Sequence, residues 1–293
     1  MNLIPIDQIF KDGIDGTMIS YWPCKRKFYN RFVRGLDTPQ VSSSIRFGQA
    51  VDRVLEGYFK RELDEKQAIE AFSEIYEDKG DDDRRTTERG ATILKLYFQQ
   101  FPRDTETFEI LEIQEPFKLD IGAMVPFCGK PDMVVKDRIS GDVLPFDNKT
   151  TTFYGDNFRD KFEIDTSTEG YIYYCRKKYG GSFRARFNVL IPQKTKPRCD
   201  RFDISKSDEQ IAFWEKRTRR VIDEITRLVT DHYDDVDAFT LADSRCTDFN
   251  SRCMYFDLCK YCDKTELIEG DFTQRVWSPF NKQERVKNAI QGS

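Results

Sequence analysis

The chain lacks any apolar run approaching the roughly 20 residues that a bilayer-spanning helix requires. Its first residues, MNLIPIDQIFKDG, have neither the basic start nor the long apolar stretch of a secretory signal. No membrane association is therefore expected, and the expected compartment is a reducing cytoplasm. There, eight cysteines are thiols or metal ligands rather than disulfides. Internal repeats and long low-complexity linkers are also missing, which excludes repeat arrays and tethered multidomain designs. There is no excess of positive charge either: the formal net charge is −4. That balance does not announce a nucleic-acid binder, but it leaves local basic patches open. What is present is ample core material, 39% hydrophobic and 14% aromatic, with 33% charged residues. A chain of 293 residues accommodates one large domain or two small ones.

Hydrophobic spacing gives the element order. SSIRFGQAVDRVLEGYFK (43–60) repeats apolar residues with helical period at Phe47, Val51, Val54, Leu55 and Tyr58, with preceding serines as N-cap candidates. Further helices are predicted over 65–77 and 86–101, separated by the acidic loop DKGDDDRR (78–85). TFEILEIQEPFKLDIG (107–122) is strand-prone, as is the stretch from Gly129 to Thr152. In FRARFNVLIP, apolar Phe183, Ala185, Phe187, Val189 and Ile191 alternate with Arg184, Arg186 and Asn188, and RCDRFDIS (198–205) follows as a pairing partner. TSTEGYIYYCRKKYG (166–180) reads as a helix stopping at Gly180. A long helix follows Ser207, where Ser207 and Gln210 fit a capping box. Helices, three strands, a helix, a strand pair and a long helix make an α/β fold with a mixed central sheet.

The stretch GKPDMVVKDRISGDVLPFDNKTTT (129–152) sets charges among apolar strand residues. Phosphodiester hydrolysis needs an activated water, a neutralised phosphoryl group and a stabilised leaving oxygen, and carboxylate-held divalent cations supply much of this. Asp132 and Asp147, on neighbouring strands, can converge on one ion. Lys149 lies two residues beyond Asp147 and so shares its face of the strand. Asn148 points to the other face, which leaves its backbone carbonyl as a metal ligand. On these residues alone, a solvated charged hairpin is the preferred reading.

The pattern GKPDMVV…VLPFDNKTT resembles the core of the PD-(D/E)XK nuclease superfamily, in the branch of RecB-type exonucleases, CRISPR-adaptation nucleases and phage recombination exonucleases. FGQAVDRVLEGYF (47–59) is similar to a helix of that branch reading G-x-x-x-H, with Asp52 in the histidine position. The only histidine, His232, lies in the long helix. TEGYIYY (168–174) is similar to the helix carrying Q-x-x-x-Y, with Glu169 replacing Gln and Tyr173 matching Tyr. The resemblance implies a restriction-endonuclease-like core in which Asp132, Asp147 and Lys149 are catalytic and Asp52 assists. Mg²⁺ or Mn²⁺ would be held by Asp52, Asp132, Asp147 and the Asn148 carbonyl, with Glu112 and Glu115 as alternative acidic ligands. Glu169 and Tyr173 would lie on the substrate side.

SRCTDFNSRCMYFDLCKYC gathers Cys246, Cys253, Cys259 and Cys262, a density suited to zinc or to an iron–sulfur cluster. The resemblance implies a [4Fe–4S] cluster joining the N- and C-terminal segments. Cys24 of ISYWPCKRKFYNRF would be the distant ligand to a trio of Cys246, Cys253 and Cys259; Cys262 is the next candidate, and Zn²⁺ is the alternative occupant. Cys128, Cys175 and Cys199 read as buried small apolar groups. Lys25 and Arg26, interleaved with aromatics, and Arg184 and Arg186 on one strand face are candidates for DNA contact.

The expectation is a single nuclease domain over 1–293: cluster-ligand segment 1–40, helical part 41–105, catalytic core 106–235, cysteine-rich segment 240–265 and tail 266–293. Its expected activity is Mg²⁺- or Mn²⁺-dependent DNA exonuclease rather than endonuclease, acting on DNA with a free end in phage or bacterial recombination or repair. A recombination partner protein and a homo-oligomer are compatible with that role. The alternatives are an inactive DNA-binding relative and a zinc-stapled protein-interaction adaptor.

Overall fold

The computed structural model describes residues 2–247 and 251–281. Helix α1 (Ser43–Phe59) buries Phe47, Val51, Val54, Leu55 and Tyr58, the positions its periodicity predicts. The expected serine cap is not made: the Ser42 hydroxyl meets the Ser44 hydroxyl at 3.0 Å and caps no backbone amide. Helix α2 (Glu65–Ile75) opens on a reciprocal capping box between Asp64 and Gln67. Helix α3 (Thr87–Gln100) is capped by Thr86. The acidic run between α2 and α3 folds on its own charges: Arg85 and Arg84 bond Asp82, and Arg46 donates to Asp81 at 2.7 Å.

The central sheet contains β1 (Phe108–Ile113), β2 (Met133–Asp137), β3 (Val143–Thr150), β4 (Arg184–Ile191) and β5 (Arg198–Ser205), in that spatial order. All neighbours are antiparallel except β3 and β4, which are parallel. A parallel pair needs a crossover, and α4 (Thr166–Tyr179) lies in that connection. The sheet is therefore mixed and flanked by helices, as expected. Met133, Val135, Leu144 and Phe146 share one core cluster with α1, α2 and α3. In β1 the pairing steps from Ile110 opposite Val135 to Glu112 opposite Val134, leaving Leu111 as a bulge.

The chain divides into two compact units. One comprises 41–117 and 130–212 and holds the sheet; the other comprises 1–40, 118–129 and 213–293. Helix α5 (Asp208–Asp231) starts in the first on the Ser207–Gln210 capping box and continues in the second. In the second unit, Leu36–Asp37 pairs antiparallel with Thr273–Gln274. Asp263 accepts from Arg26 and Arg34, at 2.9 Å each, and the Tyr255 hydroxyl donates to the Leu36 carbonyl at 2.7 Å. These bonds join the N- and C-terminal segments. No helix among the described residues is long and apolar enough to cross a membrane.

Candidate active site

Pro131 precedes β2, a strand-entry position at which its missing N–H is harmless. The next residue, Asp132, is held by two donors. The Asn148 backbone N–H donates to one carboxylate oxygen at 2.7 Å, and the Gln114 side-chain amide donates to the other at 3.0 Å. The hairpin between β2 and β3 brings Asp147 beside Asp132. Burial, then the like charge of Asp147, pushes the Asp132 carboxyl up to about 7. Lys149 ion-pairs with Asp147, and the two side chains are only 35% and 15% exposed. Burial alone would pull the lysine down, but the charges of Asp147 and Asp132 outweigh it and raise its proton affinity above the ordinary value.

Asp52 comes from α1 and acts on Lys149 in the same direction. The approach of that helix depends on Gly48, one turn earlier: a Cβ there would stand 3.3 Å from the Thr150 hydroxyl, at the end of β3. Asp52, Asp132 and Asp147 thus all act on Lys149 and share one electrostatic neighbourhood with it. The Asn148 side chain points to the opposite face, where it accepts from Asn188 at 3.0 Å.

A model of the PD-(D/E)XK nuclease superfamily matches residues 19–263. The chain belongs to that superfamily. Among solved structures, a candidate exonuclease from Eubacterium rectale is 16% identical, with a TM-score of 0.43, over 74% of this chain and 83% of its own. SSO0001 is 10% identical, with a TM-score of 0.31, over 70% of this chain and 84% of its own. No curated protein matches the chain.

For this nuclease, the remaining expected site residues divide by what they touch. Glu169, on α4, is buried, and its carboxylate lies 3.8 Å from the ammonium of Lys206, itself buried and bonded to the Glu163 carbonyl. Tyr173 is buried, with Lys177 over its ring at 5.2 Å. Glu112 accepts from Lys178, Tyr174 and Tyr179, so it ties β1 to α4, while Glu115 is exposed. Arg186 makes two bonds to Asp203, and Arg184 reaches Asp203, Asp137 and Asp142; these guanidinium groups brace the sheet. Arg26 is committed to Asp263, Asp237 and the Phe239 carbonyl. Lys25 pairs with Glu224 at 2.9 Å and lines a cavity of about 720 Å³ with Arg219, Arg220 and Arg227.

Four cysteines are buried, and the other four are half-buried or exposed. Cys128, Cys175 and Cys199 are buried, and burial pushes the Cys199 thiol up to about 12. Cys24 is buried at the start of the turn Lys25–Phe28, and the Cys253 amide donates to the Cys246 carbonyl at 2.8 Å. Burial raises the Cys259 thiol to about 11; the charge of Asp263 adds to the shift and that of Arg26 opposes it. Cys262 is exposed, at a positive φ of 55°. Among the described residues, no three His, Cys, Asp or Glu side chains are already gathered to hold an ion, in either unit. Residues 248–250 of the cysteine-rich segment lie outside the described residues.

Two residues of this neighbourhood escape sequence reasoning. Gln114 meets Asp132 because the Leu111 bulge sets it opposite that residue, with a left-handed φ of 52°. Nothing in TFEILEIQEPF marks a bulge. Lys161, on the β3–α4 connection, lays its ammonium on the rings of Phe158 at 4.1 Å and Phe162 at 4.6 Å. Partial desolvation, then the positive charge of Lys149, lowers its proton affinity, which sets it in the field of the Asp147–Lys149 pair. The interleaving of Phe158, Lys161 and Phe162 was its available signal.

Proposed function

We propose that this nuclease is a Mg²⁺- or Mn²⁺-dependent deoxyribonuclease acting as an exonuclease on DNA with a free end, in bacterial or phage-infected cytoplasm during recombination or repair. The observation that carries the reading is the paired carboxylates of Asp132 and Asp147, pressed together and partly buried beside Lys149. Like charges are costly to hold so close, and hard oxygen donors in that arrangement fit a divalent cation. Asp132 and Asp147 would hold it, with Asp52 and the Asn148 carbonyl assisting. When bound, the metal supplies charge neutralisation at the phosphoryl group and lowers the pKa of water. The chain's own contribution is positional. Gln114 and the Asn148 amide orient Asp132, and Asp147 holds the Lys149 ammonium in its protonated form. In that form Lys149 is a hydrogen-bond donor to phosphoryl oxygens, where negative charge grows during displacement. Glu169 and Tyr173 are substrate-side residues in this reading.

A [4Fe–4S] cluster on Cys24, Cys246, Cys253 and Cys259, with Cys262 as reserve and Zn²⁺ as the alternative, is part of the proposal. The bonds from Arg26 and Arg34 to Asp263, which hold the segment after Cys24 against the segment after Cys259, support it. A surface-charge adaptor gives no reason for two partly buried carboxylates side by side, so the enzyme reading is preferred. The test is digestion of end-labelled single- and double-stranded DNA with Mg²⁺ or Mn²⁺ by wild type and Lys149→Ala. Wild type should release nucleotides from an end and the variant should not. Intact substrates with wild type, or equal cutting by both proteins, would remove the basis of the assignment. An absorbance band near 400 nm in anaerobically purified protein, lost in Cys24→Ser, checks the cluster.

A further inference from the structure

Phe153 is 74% exposed, although it stands only four residues beyond Lys149. Exposing an aromatic ring forgoes about 1.5–3 kcal/mol of burial, and a slack loop would let it fold back onto the surface. This turn is not slack. The Thr151 hydroxyl accepts from the Phe153 N–H at 3.1 Å and donates to the Phe153 carbonyl at 2.7 Å. The Thr151 N–H donates to the Leu190 carbonyl of β4 at 3.1 Å, and the Gln193 amide reaches the Thr152 carbonyl at 3.3 Å. The backbone is thus fastened on both sides of the exposed ring. The Arg84 guanidinium stands over that ring, 5.5 Å from its centre. Farther along the same connection come Lys161, in the field of Lys149 and Asp147, and Ile164, 73% exposed.

We propose that the connection from Thr151 to Asp165 grips single-stranded DNA beside the catalytic pair, with an unpaired base stacked on Phe153 and a phosphate on Lys161. This rests on the nuclease reading and adds the form of substrate that the site takes. A fixed aromatic face with a guanidinium over it, and a lysine farther along the same connection, is an arrangement that binds single strands, because every base offers a π-face and every nucleotide a phosphate. Within a duplex the faces of a base are already stacked, so the ring selects unpaired or frayed strands. The Cα atoms of Lys149 and Phe153 can be at most about 14 Å apart, a gap that a few nucleotides bridge. The cations argue against an apolar protein partner on the same ring.

The experiment is fluorescence anisotropy in EDTA, so binding is read without turnover. The probes are a labelled oligothymidylate and a blunt duplex of equal length; the proteins are wild type, Phe153→Ala, Phe153→Trp and Lys161→Gln. Phe153→Ala should weaken oligothymidylate binding about tenfold and leave duplex binding as it was, and Phe153→Trp should restore it. Lys161→Gln should reduce the salt dependence of oligothymidylate binding by about 0.7 in log–log slope, the contribution of one phosphate. Wild-type affinity in Phe153→Ala, equal losses on both probes, or an unchanged slope in Lys161→Gln overturns the proposal. Thermal melting of each variant guards against misfolding, and the Trp variant still reads the stacking role if the Ala variant melts early. If wild type cuts DNA while the variants bind normally, only this inference fails. If wild type neither cuts nor binds, the nuclease reading fails with it.

Discussion

Replacing Gln114 tests whether Asp132 must be held from both sides. Its amide supplies one of the two hydrogen bonds that orient the carboxylate, at 3.0 Å against 2.7 Å for the Asn148 amide. Hydrogen bonds to charged groups contribute about 1.5–3 kcal/mol, so losing this one corresponds to roughly a 10- to 150-fold change if it is fully expressed in the transition state. The backbone complicates a simple truncation, because φ at Gln114 is 52°. Alanine there retains a left-handed strain of about 1–2 kcal/mol, whereas glycine relieves it. Gln114→Ala and Gln114→Gly therefore share the loss of the amide but differ in backbone energy. Both should lose at least tenfold in the single-turnover rate of end-labelled DNA cleavage at saturating Mn²⁺, while Gly melts higher than Ala. The Mn²⁺ concentration for half-maximal rate should rise in both, because a loosened Asp132 is a poorer ligand. Wild-type rate and Mn²⁺ dependence in Gln114→Gly would falsify the positioning role and leave the bulge a purely structural feature.

Gly48→Val should lower the cleavage rate more than it lowers the melting temperature, because the added branch meets Thr150 and pushes α1, with Asp52, off β3; equal activity would show that the close approach is dispensable. Glu112 gives a pH signature. Burial opposes its ionisation, but Lys178, Tyr179 and Tyr174 more than compensate and hold its carboxyl below the ordinary range. Its folded value is depressed, so its contribution is present above the unfolded value of about 4.3 and lost as pH falls below it. Urea unfolding between mildly and strongly acidic pH should accordingly show a shallower acid limb in Glu112→Gln than in wild type. For the buried pair Glu169 and Lys206, Glu169→Gln alone should destabilise by about 1–3 kcal/mol, with Glu163 still serving the lysine. The double variant Glu169→Gln with Lys206→Met should recover part of that loss, and strict additivity in denaturant melts would show that the two do not interact.

Much of the site was legible because it depends on local periodicity. Asp147 and Lys149 share a strand face by the period of two, and Asn148 opposes them for the same reason. The helix carrying Asp52 could be drawn from Phe47, Val51, Val54 and Leu55 alone. The signals that failed are those a one-dimensional pattern does not encode. A bulge at Leu111 shifts the register by one residue and exchanges which side chain faces Asp132, yet FEILEI reads the same with or without it. Ion-pair partners were likewise invisible: the basic residues Arg26, Arg184 and Arg186 looked like phosphate contacts because Asp263, Asp137, Asp142 and Asp203 are remote from at least one of them in sequence. Lys161 was the reverse case, an unremarked lysine brought into the field of the Asp147–Lys149 pair by the path of a connection.

The two departures from the pattern of the branch that the sequence resembles bear on whether this nuclease has declined. A site losing its function accumulates substitutions without regard to neighbours, and a buried carboxylate introduced in that way would stand uncompensated at a cost of several kcal/mol. Neither departure looks like that. Glu169 replaces a neutral amide inside the fold, and a buried ammonium, Lys206, stands 3.8 Å from it. Asp52 replaces an imidazole, and its charge falls on Lys149, the one cation that the proposed chemistry requires to stay protonated. In place of a borderline nitrogen donor, it offers a hard oxygen, the preference of Mg²⁺ and Mn²⁺. Both substitutions add negative charge, and both occur where a lysine is positioned to receive it. Under the proposed chemistry, compensation of that kind fits an altered metal preference better than a loss of catalysis.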